Sequence, residues 1–380
     1  MKKMQSVVLI FCTLLSFSCS SKVNREGKAL IRKVENIDAT VMIRSVEELN
    51  NVARYDDAFL FVTLEGCQYC EQQRANMYQY IQDNEALIYE VDVHTYLDAY
   101  HAKENSIGDY AYLYPKIDKA PSVITFSEGK SLKAHQGMLS KDYNEFVKDM
   151  SSFILPVNVY QVNDFSLGSD GRYYHDTPES IEEAKEQDTI GFGTVALDKQ
   201  IAQKGKQAIY FTWNKCGDCK NYRNEVFNDF ILNDLKTRIY TYEVDGYYTL
   251  KRNYDLGLQE LGLNMWSEFS KKYHLFDENF YNTDILGNKA GFVPTVVLFE
   301  DGKFKGYDVF ANEGNIIFNE DNTISFSRYF HSKVKDVKSK KSIPNREQTS
   351  SDYIDAVRDI YDQALKIDIE ESRKFLKENL

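Results

Sequence analysis

The stretch Gln207-Ala-Ile-Tyr-Phe-Thr-Trp-Asn-Lys-Cys-Gly-Asp-Cys-Lys220 passes from an apolar run into two cysteines separated by two residues. Such a run, rich in aromatic and β-branched residues, reads as a buried strand. The polar stretch beyond it, Lys220 to Leu232, sets Tyr222, Val226 and Phe230 at i, i+4 and i+8, one face of a helix. The same pattern stands earlier in the chain. Asp57-Ala-Phe-Leu-Phe-Val-Thr-Leu64 leads into Cys67 and Cys70, and Glu71 to Gln82 follows as a helix former.

The two copies stay in step. A second strand, Leu87–Asp92 or Arg238–Asp245, ends in Val-Asp both times. A proline then opens an apolar strand, Pro121-Ser-Val-Ile-Thr-Phe or Pro294-Thr-Val-Val-Leu-Phe. Both strands turn at Gly-Lys, with Gly129 and Gly302 each eight residues past their proline. In the first copy a last helix follows, from Lys141 to Phe153. The period is too long for a solenoid. Strand, helix, strand, hairpin and helix instead describe an α/β fold, a mixed sheet flanked by helices.

Cys216-Gly-Asp-Cys219-Lys220, with Trp213 three residues ahead, resembles the active-site segment of thioredoxins. Ala120-Pro121-Ser122 and Val293-Pro294-Thr295 resemble the cis-proline loop of the thioredoxin-like superfamily. The resemblance covers about 50–155 and 200–312. It implies two tandem thioredoxin-like domains, each a mixed β-sheet flanked by helices, with Pro121 and Pro294 as cis, substrate-positioning prolines. The expected division is a signal peptide at 1–18, a tether at 19–39, a first domain at 40–155 and a linker at 156–188. A second domain at 189–335 carries a long insert at 246–292, and a helical C-terminal tail spans 336–380. The insert, with Trp266, reads as partly helical packing that reaches over the second site. The final helix should bury Ile354, Val357, Tyr361, Ala364 and Leu365. The five lysines of Lys333–Lys341 read as solvated.

The chain departs from the family in two places. The buried acid that thioredoxins keep six residues before the first cysteine is Phe61 in one copy and Tyr210 in the other. The proline between the cysteines is absent from both Gln68-Tyr69 and Gly217-Asp218. Neither copy is a thioredoxin proper.

Composition narrows the class. Of 380 residues, 58 are acidic and 46 basic, a net charge of −12 that repels phosphate backbones and excludes nucleic acid as a partner. Beyond the N-terminus no apolar run approaches the roughly 20 residues needed to span a bilayer. Lys2 and Lys3, the apolar Val7 to Phe17 and the small residues around Ser18 have the pattern of an export signal. Cys19 stands where a bacterial lipoprotein is lipidated, although Ser16 occupies the position usually held by leucine. The expectation is an exported protein, lipid-anchored at Cys19 on the outer face of the cell membrane or in the periplasm.

The six cysteines are Cys12 and Cys19 at the N-terminus and the two C-x-x-C pairs. A disulfide-stapled protein scatters its cysteines, whereas these form two local dithiols. The pairs lie 149 residues apart and no histidine has ligand spacing to either, which argues against zinc. A loop of four residues constrains the unfolded chain little, which argues against a purely structural role. At a helix start, the first sulfur meets unpaired N–H groups and the positive end of the dipole, and thiolate is favoured. Cys67 and Cys216 are therefore the expected attackers and Cys70 and Cys219 the resolvers. Lys220 favours thiolate at its site and Glu71 opposes it at the other, so Cys216 should be the more acidic attacker. Asp218 leans the chemistry towards a reductase or isomerase. The expected function is thiol-disulfide exchange on cysteines of exported proteins, without a cofactor and recharged by a membrane or extracytoplasmic redox partner. The alternative is a non-catalytic thioredoxin-like binding module at the cell surface.

Overall fold

The computed structural model describes residues 27–55, 57–104, 114–163, 165–175, 194–276, 281–310, 314–328, 337–343 and 350–380. The chain begins with β1 (Ala29–Lys33), β2 (Val41–Ile43), α1 (Val46–Tyr55) and β3 (Ala58–Thr63). Then come α2 (Gln68–Asn84), β4 (Tyr89–Asp92) and α3 (Val93–Glu104). The hairpin β5 (Ser122–Ser127) and β6 (Lys130–Gln136) precedes α4 (Tyr143–Ser151), β7 (Ile154–Gln161), β8 (Phe165–Leu167) and β9 (Tyr173–His175). Every residue of β3 and β5 is buried, as a strand covered on both faces requires.

The second copy opens with α5 (Val195–Ile201) and β10 (Lys206–Thr212). The helix after its cysteines is broken into α6 (Gly217–Tyr222), a π-helical turn at Arg223–Phe227, and α7 (Asn228–Asn233). β11 (Ile239–Glu243) follows. The insert then supplies α8 (Asp245–Lys251), α9 (Leu256–Lys272) and the small hairpin β12 (Asn282–Thr283) and β13 (Lys289–Ala290). β14 (Thr295–Glu300) and β15 (Lys303–Val309) complete the copy. A separate three-stranded sheet of β16 (Gly314–Phe318), β17 (Ile324–Arg328) and β18 (Val337–Lys338) is covered by α10 (Ser351–Asn379).

The two large sheets share one plan. The order β2-β4-β3-β5-β6 matches β7-β11-β10-β14-β15, with three parallel strands followed by two antiparallel ones. Both hairpins turn on paired positive-φ residues, Glu128-Gly129 and Asp301-Gly302, the geometry of a tight two-residue turn. Each sheet is extended beyond its first strand by strands from elsewhere in the chain. β9, then β8, add to β2 in the first sheet, and β1 adds in parallel to β7 in the second. The chain therefore crosses between the sheets repeatedly.

This crossing corrects the expected boundaries. Residues 29–33, expected in a tether, are β1 with Ala29, Leu30 and Ile31 buried. Alternate side chains face opposite ways along a strand. Ala29 and Ile31 accordingly join the core of the first sheet while Leu30 joins that of the second. The expected linker at 156–188 holds most of β7 and all of β8 and β9, so the divisions at 40–155 and 189–335 cut through both sheets. β1, β8 and β9 are too short to carry an alternation, and nothing local to β7 names its partners in the other sheet. The end of that linker falls within 176–193, outside the described residues, as do 1–26 with Cys19. The final helix is rotated from its expected face: Tyr353, Ala356, Val357, Ile360 and Ala364 are buried, and Ile354 is exposed. Among the described residues no helix is long and apolar enough to cross a membrane.

A chain that begins at residue 40 should lose more than a tether. Leu30, Ile31, Val34 and Ile37 are all buried, and each such side chain is worth about 1.5–3 kcal/mol. Comparing chains 27–380 and 40–380 by urea denaturation should show a midpoint lower by several kcal/mol of stability. Amide exchange in β7 should quicken with it. Equal midpoints would contradict the role given to β1.

Candidate active site

Both C-x-x-C pairs sit where a strand with a buried C-terminal half gives way to a helix. Cys67 is the N-cap of α2 and Cys216 that of α6, each with extended backbone. The caps are alike atom for atom. The N–H of each cap cysteine donates to the carbonyl three residues back, Leu64 or Trp213, at 3.2 Å. The cap sulfur accepts the N–H of the second cysteine at 3.1 Å in both copies. Capping thus falls to a sulfur, in the place usually held by a serine or aspartate oxygen.

The prolines close the site from the other side. Ala120-Pro121 and Val293-Pro294 are both cis. The Cys67 sulfur lies 3.8 Å from the Ala120 carbonyl oxygen, and the Cys216 thiol donates to the Val293 carbonyl at 3.6 Å. Ser122 and Thr295 hold the loops by donating to the carbonyls of Lys119 and Phe292. All six expected residues therefore come together, three per sheet: Cys67, Cys70 and Pro121; Cys216, Cys219 and Pro294. Cys67 and Cys70 form a disulfide with Cα atoms 5.2 Å apart, while Cys216 and Cys219 are thiols.

Burial separates the roles of the second pair. Cys216 is half-buried and Cys219 fully buried. Desolvation, with Cys216 close by, pushes the Cys219 thiol well above its ordinary pKa. The half-buried Cys216 sulfur is the more accessible of the two, and burial holds the proton on Cys219.

Beneath the two helices the copies diverge. Phe61 and Tyr210 lie on the strands that lead into the cysteines, and a carboxylate, Glu90, lies on the neighbouring strand opposite Phe61. It is fully buried and accepts hydrogen bonds from Thr40 (2.7 Å), Thr63 (3.0 Å) and Arg74 (2.7 Å), with Arg172 at 3.1 Å. Burial opposes its ionisation, yet the bonds and charge of Arg74, with Thr40 and Arg172, hold its pKa below the usual range. In the second copy the same place is Thr241, opposite Tyr210. Burial, with the Cys219 charge, raises the Tyr210 phenol well above its ordinary value, so it keeps its proton. One helix rests on a buried ion pair and the other on hydroxyls.

Sequence reasoning missed Glu90, Arg74 and Arg223. Both second strands carry Tyr-Glu-Val-Asp, at Tyr89–Asp92 and Tyr242–Asp245, yet Glu90 and Glu243 do not hold equivalent places. The sheets are registered one residue differently: Thr63 faces Asp92, whereas Thr212 faces Glu243. A slip of one residue exchanges the faces of a strand. Glu243 accordingly turns towards Arg32 of β1, at 2.7 Å. The available signal was an arginine four residues past the second cysteine in each copy, Arg74 and Arg223.

The insert packs beside the second site. Trp213 stacks on Tyr248 of α8 at 4.4 Å, and Tyr248 meets the buried Trp266 of α9 edge-on at 5.0 Å. Arg252 covers the Trp213 ring at 4.2 Å. The π-helical turn leaves the Glu225 carbonyl outside the regular ladder, and Arg373 of α10 donates to it, from Nε at 3.1 Å. Among the described residues no group of three metal-ligating side chains could hold an ion.

No protein-family model and no curated protein matches the chain. Solved thioredoxin-fold structures match about 30% of it. Thioredoxin O2 of Arabidopsis thaliana, oxidised, is 17% identical over 31% of this chain and 96% of its own, with a TM-score of 0.23. Thioredoxin of Trypanosoma brucei brucei is 16% identical over 30% and 88%, with a TM-score of 0.22. Mitochondrial thioredoxin 3 of Saccharomyces cerevisiae, oxidised, is 13% identical over 30% and 95%, with a TM-score of 0.23.

Two outcomes test the site. Iodoacetamide should label Cys216 ahead of Cys219, and labelling of Cys219 should rise only above the ordinary thiol range; mass spectrometry of timed digests reads both. Glu90→Gln should destabilise the chain by about 3–5 kcal/mol, because Arg74 and Arg172 lose their buried counter-charge. Because the native pKa of Glu90 is depressed, its contribution is complete above the unfolded carboxylate range and fades as pH falls through the native value. The stability gap between wild type and variant, followed by denaturation from pH 7 to pH 2, should narrow accordingly.

Proposed function

We propose that this chain is a thiol-disulfide oxidoreductase of reductase or isomerase type, built as two interlocked thioredoxin-like units and acting on cysteines of exported proteins. The observation that carries the reading is the duplicated constellation itself. In each copy a cap sulfur accepts an amide N–H and faces the carbonyl ahead of a cis-proline, with its partner sulfur one helical turn behind. A structural disulfide has no use for that loop or for a half-buried first cysteine.

In the reduced second site, the Cys216 thiolate attacks one sulfur of a substrate disulfide. A Cys216–substrate bond forms, and the other substrate sulfur leaves as a thiolate that takes up a proton. Cys219 then gives up its proton and attacks Cys216. The protein is left as the Cys216–Cys219 disulfide, and the substrate leaves with two thiols and two more electrons. Cys67 and Cys70, once a membrane or extracytoplasmic redox partner has reduced their disulfide, carry out the same exchange at the first site, and that partner returns the electrons to both. The N-terminal pattern and Cys19 support export and a lipid anchor as its setting.

The full chain carrying Cys70→Ser and Cys219→Ser lacks both resolving sulfurs. Expressed in its own cells, it should accumulate mixed disulfides that dissolve on reduction and that mass spectrometry assigns to Cys67 and Cys216. If no such adducts form, and replacing Cys67 and Cys216 by serine leaves the phenotype unchanged, the reading fails and a binding module takes its place.

A further inference from the structure

The strand that leads into the second cysteine pair carries Thr212 two residues past Tyr210, so both side chains stand on one face of β10. That face lies under α6, because the Tyr210 ring packs at 5.3 Å on Tyr222 of that helix. Tyr222 is three residues past Cys219, and residues three apart share a helix face. Tyr210, Thr212 and Cys219 are all buried, at 2%, 2% and 1% exposed. The Thr212 hydroxyl and the Trp213 backbone N–H both act on the Cys219 sulfur as hydrogen-bond donors. On its other side the Thr212 hydroxyl meets the Tyr210 phenol.

The threonine at this place is committed elsewhere in the first copy. Thr63 precedes Cys67 by four residues, as Thr212 precedes Cys216, and it donates to Glu90 at 3.0 Å. In the second copy Thr241 replaces that carboxylate opposite Tyr210, which leaves the Thr212 hydroxyl to the sulfur. Other hydroxyls nearby go unanswered. Tyr210 Oη, Tyr222 Oη and Thr241 Oγ1 are buried and complete no hydrogen bond among the described residues. Such groups are costly, and a fold that keeps several in one place calls for a reason. The reason here is charge that the resting thiol does not carry. Hydroxyls that are idle around a neutral sulfur become strong donors once that sulfur is ionised.

We propose that Thr212 is a catalytic residue of the second site: its hydroxyl stabilises the negative charge on Cys219 as that sulfur attacks the Cys216–substrate disulfide, and Tyr210 positions the hydroxyl. The proposal rests on the oxidoreductase reading, since only exchange asks Cys219 to carry charge. In the step, the Cys219–Cys216 bond forms and the Cys216–substrate bond breaks. The departing substrate sulfur takes the electron pair and then a proton, in place of the one that Cys219 has released to solvent. Thr212 keeps its own proton throughout. The ionisable groups around Cys219 are Cys216, Tyr222 and Arg223 along the helix, Tyr210 on β10, and Asp308 of β15, whose charge acts on Tyr222. Asp218 is half-buried and Lys220 exposed on the outer side. Thr212 does not titrate, so removing its hydroxyl alters the donor and no charge.

The test uses the full chain with Cys12, Cys19, Cys67 and Cys70 replaced by serine, so that Cys216 and Cys219 are its only cysteines. Its probe is Ellman's reagent, a small aromatic disulfide whose leaving thiolate is coloured. Cys216 should release one equivalent in a phase that scales with reagent concentration, and Cys219 a second in a phase that does not. At about pH 8, Thr212→Val should slow the second phase relative to the first by about tenfold, the worth of one hydrogen bond to a charged group. The midpoint of its pH dependence should rise by about one pH unit. Thr212→Ser, which keeps the hydroxyl, should restore the rate, and Tyr210→Phe should slow it by about threefold. A second phase unchanged in Thr212→Val overturns the proposal and leaves the oxidoreductase reading standing. Slowing with the midpoint unmoved, or slowing that serine does not restore, reports altered packing and overturns it too. If the parent chain shows no second phase, Cys219 is no resolver, and the oxidoreductase reading fails together with the proposal.

Discussion

A five-residue strand with both faces buried holds the molecule together. β1 sends Ala29 and Ile31 into one core and Leu30 into the other, so it serves as the wall between them. One of its edges pairs with β7 of the second sheet. Its other side is tied to the first half, where Leu30 N–H donates to Asp57 at 2.8 Å and the Arg32 carbonyl accepts the Leu87 N–H at 2.9 Å. The return of β9 to the first sheet brings Arg172 to Glu90, beneath the helix of the first cysteine pair. Strand exchange thus fixes the relative position of two sites that the sequence presents as separate.

Much of the site was legible because its chemistry is local. Strand, cysteine, two residues, cysteine and helix occupy one continuous stretch, and the prolines announce their strands with the same offset to the turn. The architecture around it was not legible, for two physical reasons. Pairing partners at an edge are chosen over long sequence distances, and Ala29–Lys33 or Tyr173–His175 is too short to carry a periodicity. Register also rests on tertiary fit. Two Tyr-Glu-Val-Asp segments with the same letters lie one residue out of step, which buries Glu90 beneath a helix and leaves Glu243 for Arg32.

The two sites share sulfur geometry and differ in what supports it. Under α2, a carboxylate and two arginines form a charged network that is strong only while complete. Under α6, Tyr210 packs its ring against Tyr222 of the helix itself, with Thr241 opposite Tyr210 on the next strand, and the helix is interrupted by a π-helical turn. That turn is braced from outside by Arg373, while Leu376 of the same helix is buried in the second core. The second site therefore depends on the C-terminal helix and on the insert that stacks Tyr248 against Trp213, whereas the first depends on the strand whose return brings Arg172 to Glu90.

The interleaving of strands also sets an order on assembly during synthesis, when the N-terminus emerges first. β1 is made at the outset but has no partner until residues 154–161 exist, and β7 in turn awaits β11. The first sheet has its five central strands early, yet its outer edge stays uncovered until β9 arrives. An uncovered parallel edge is a template for pairing with another chain. The nascent protein thus passes through a stage at which each half lacks a strand that the other half's neighbourhood must supply. A chain that builds the same sheet plan twice therefore cannot mature one half at a time.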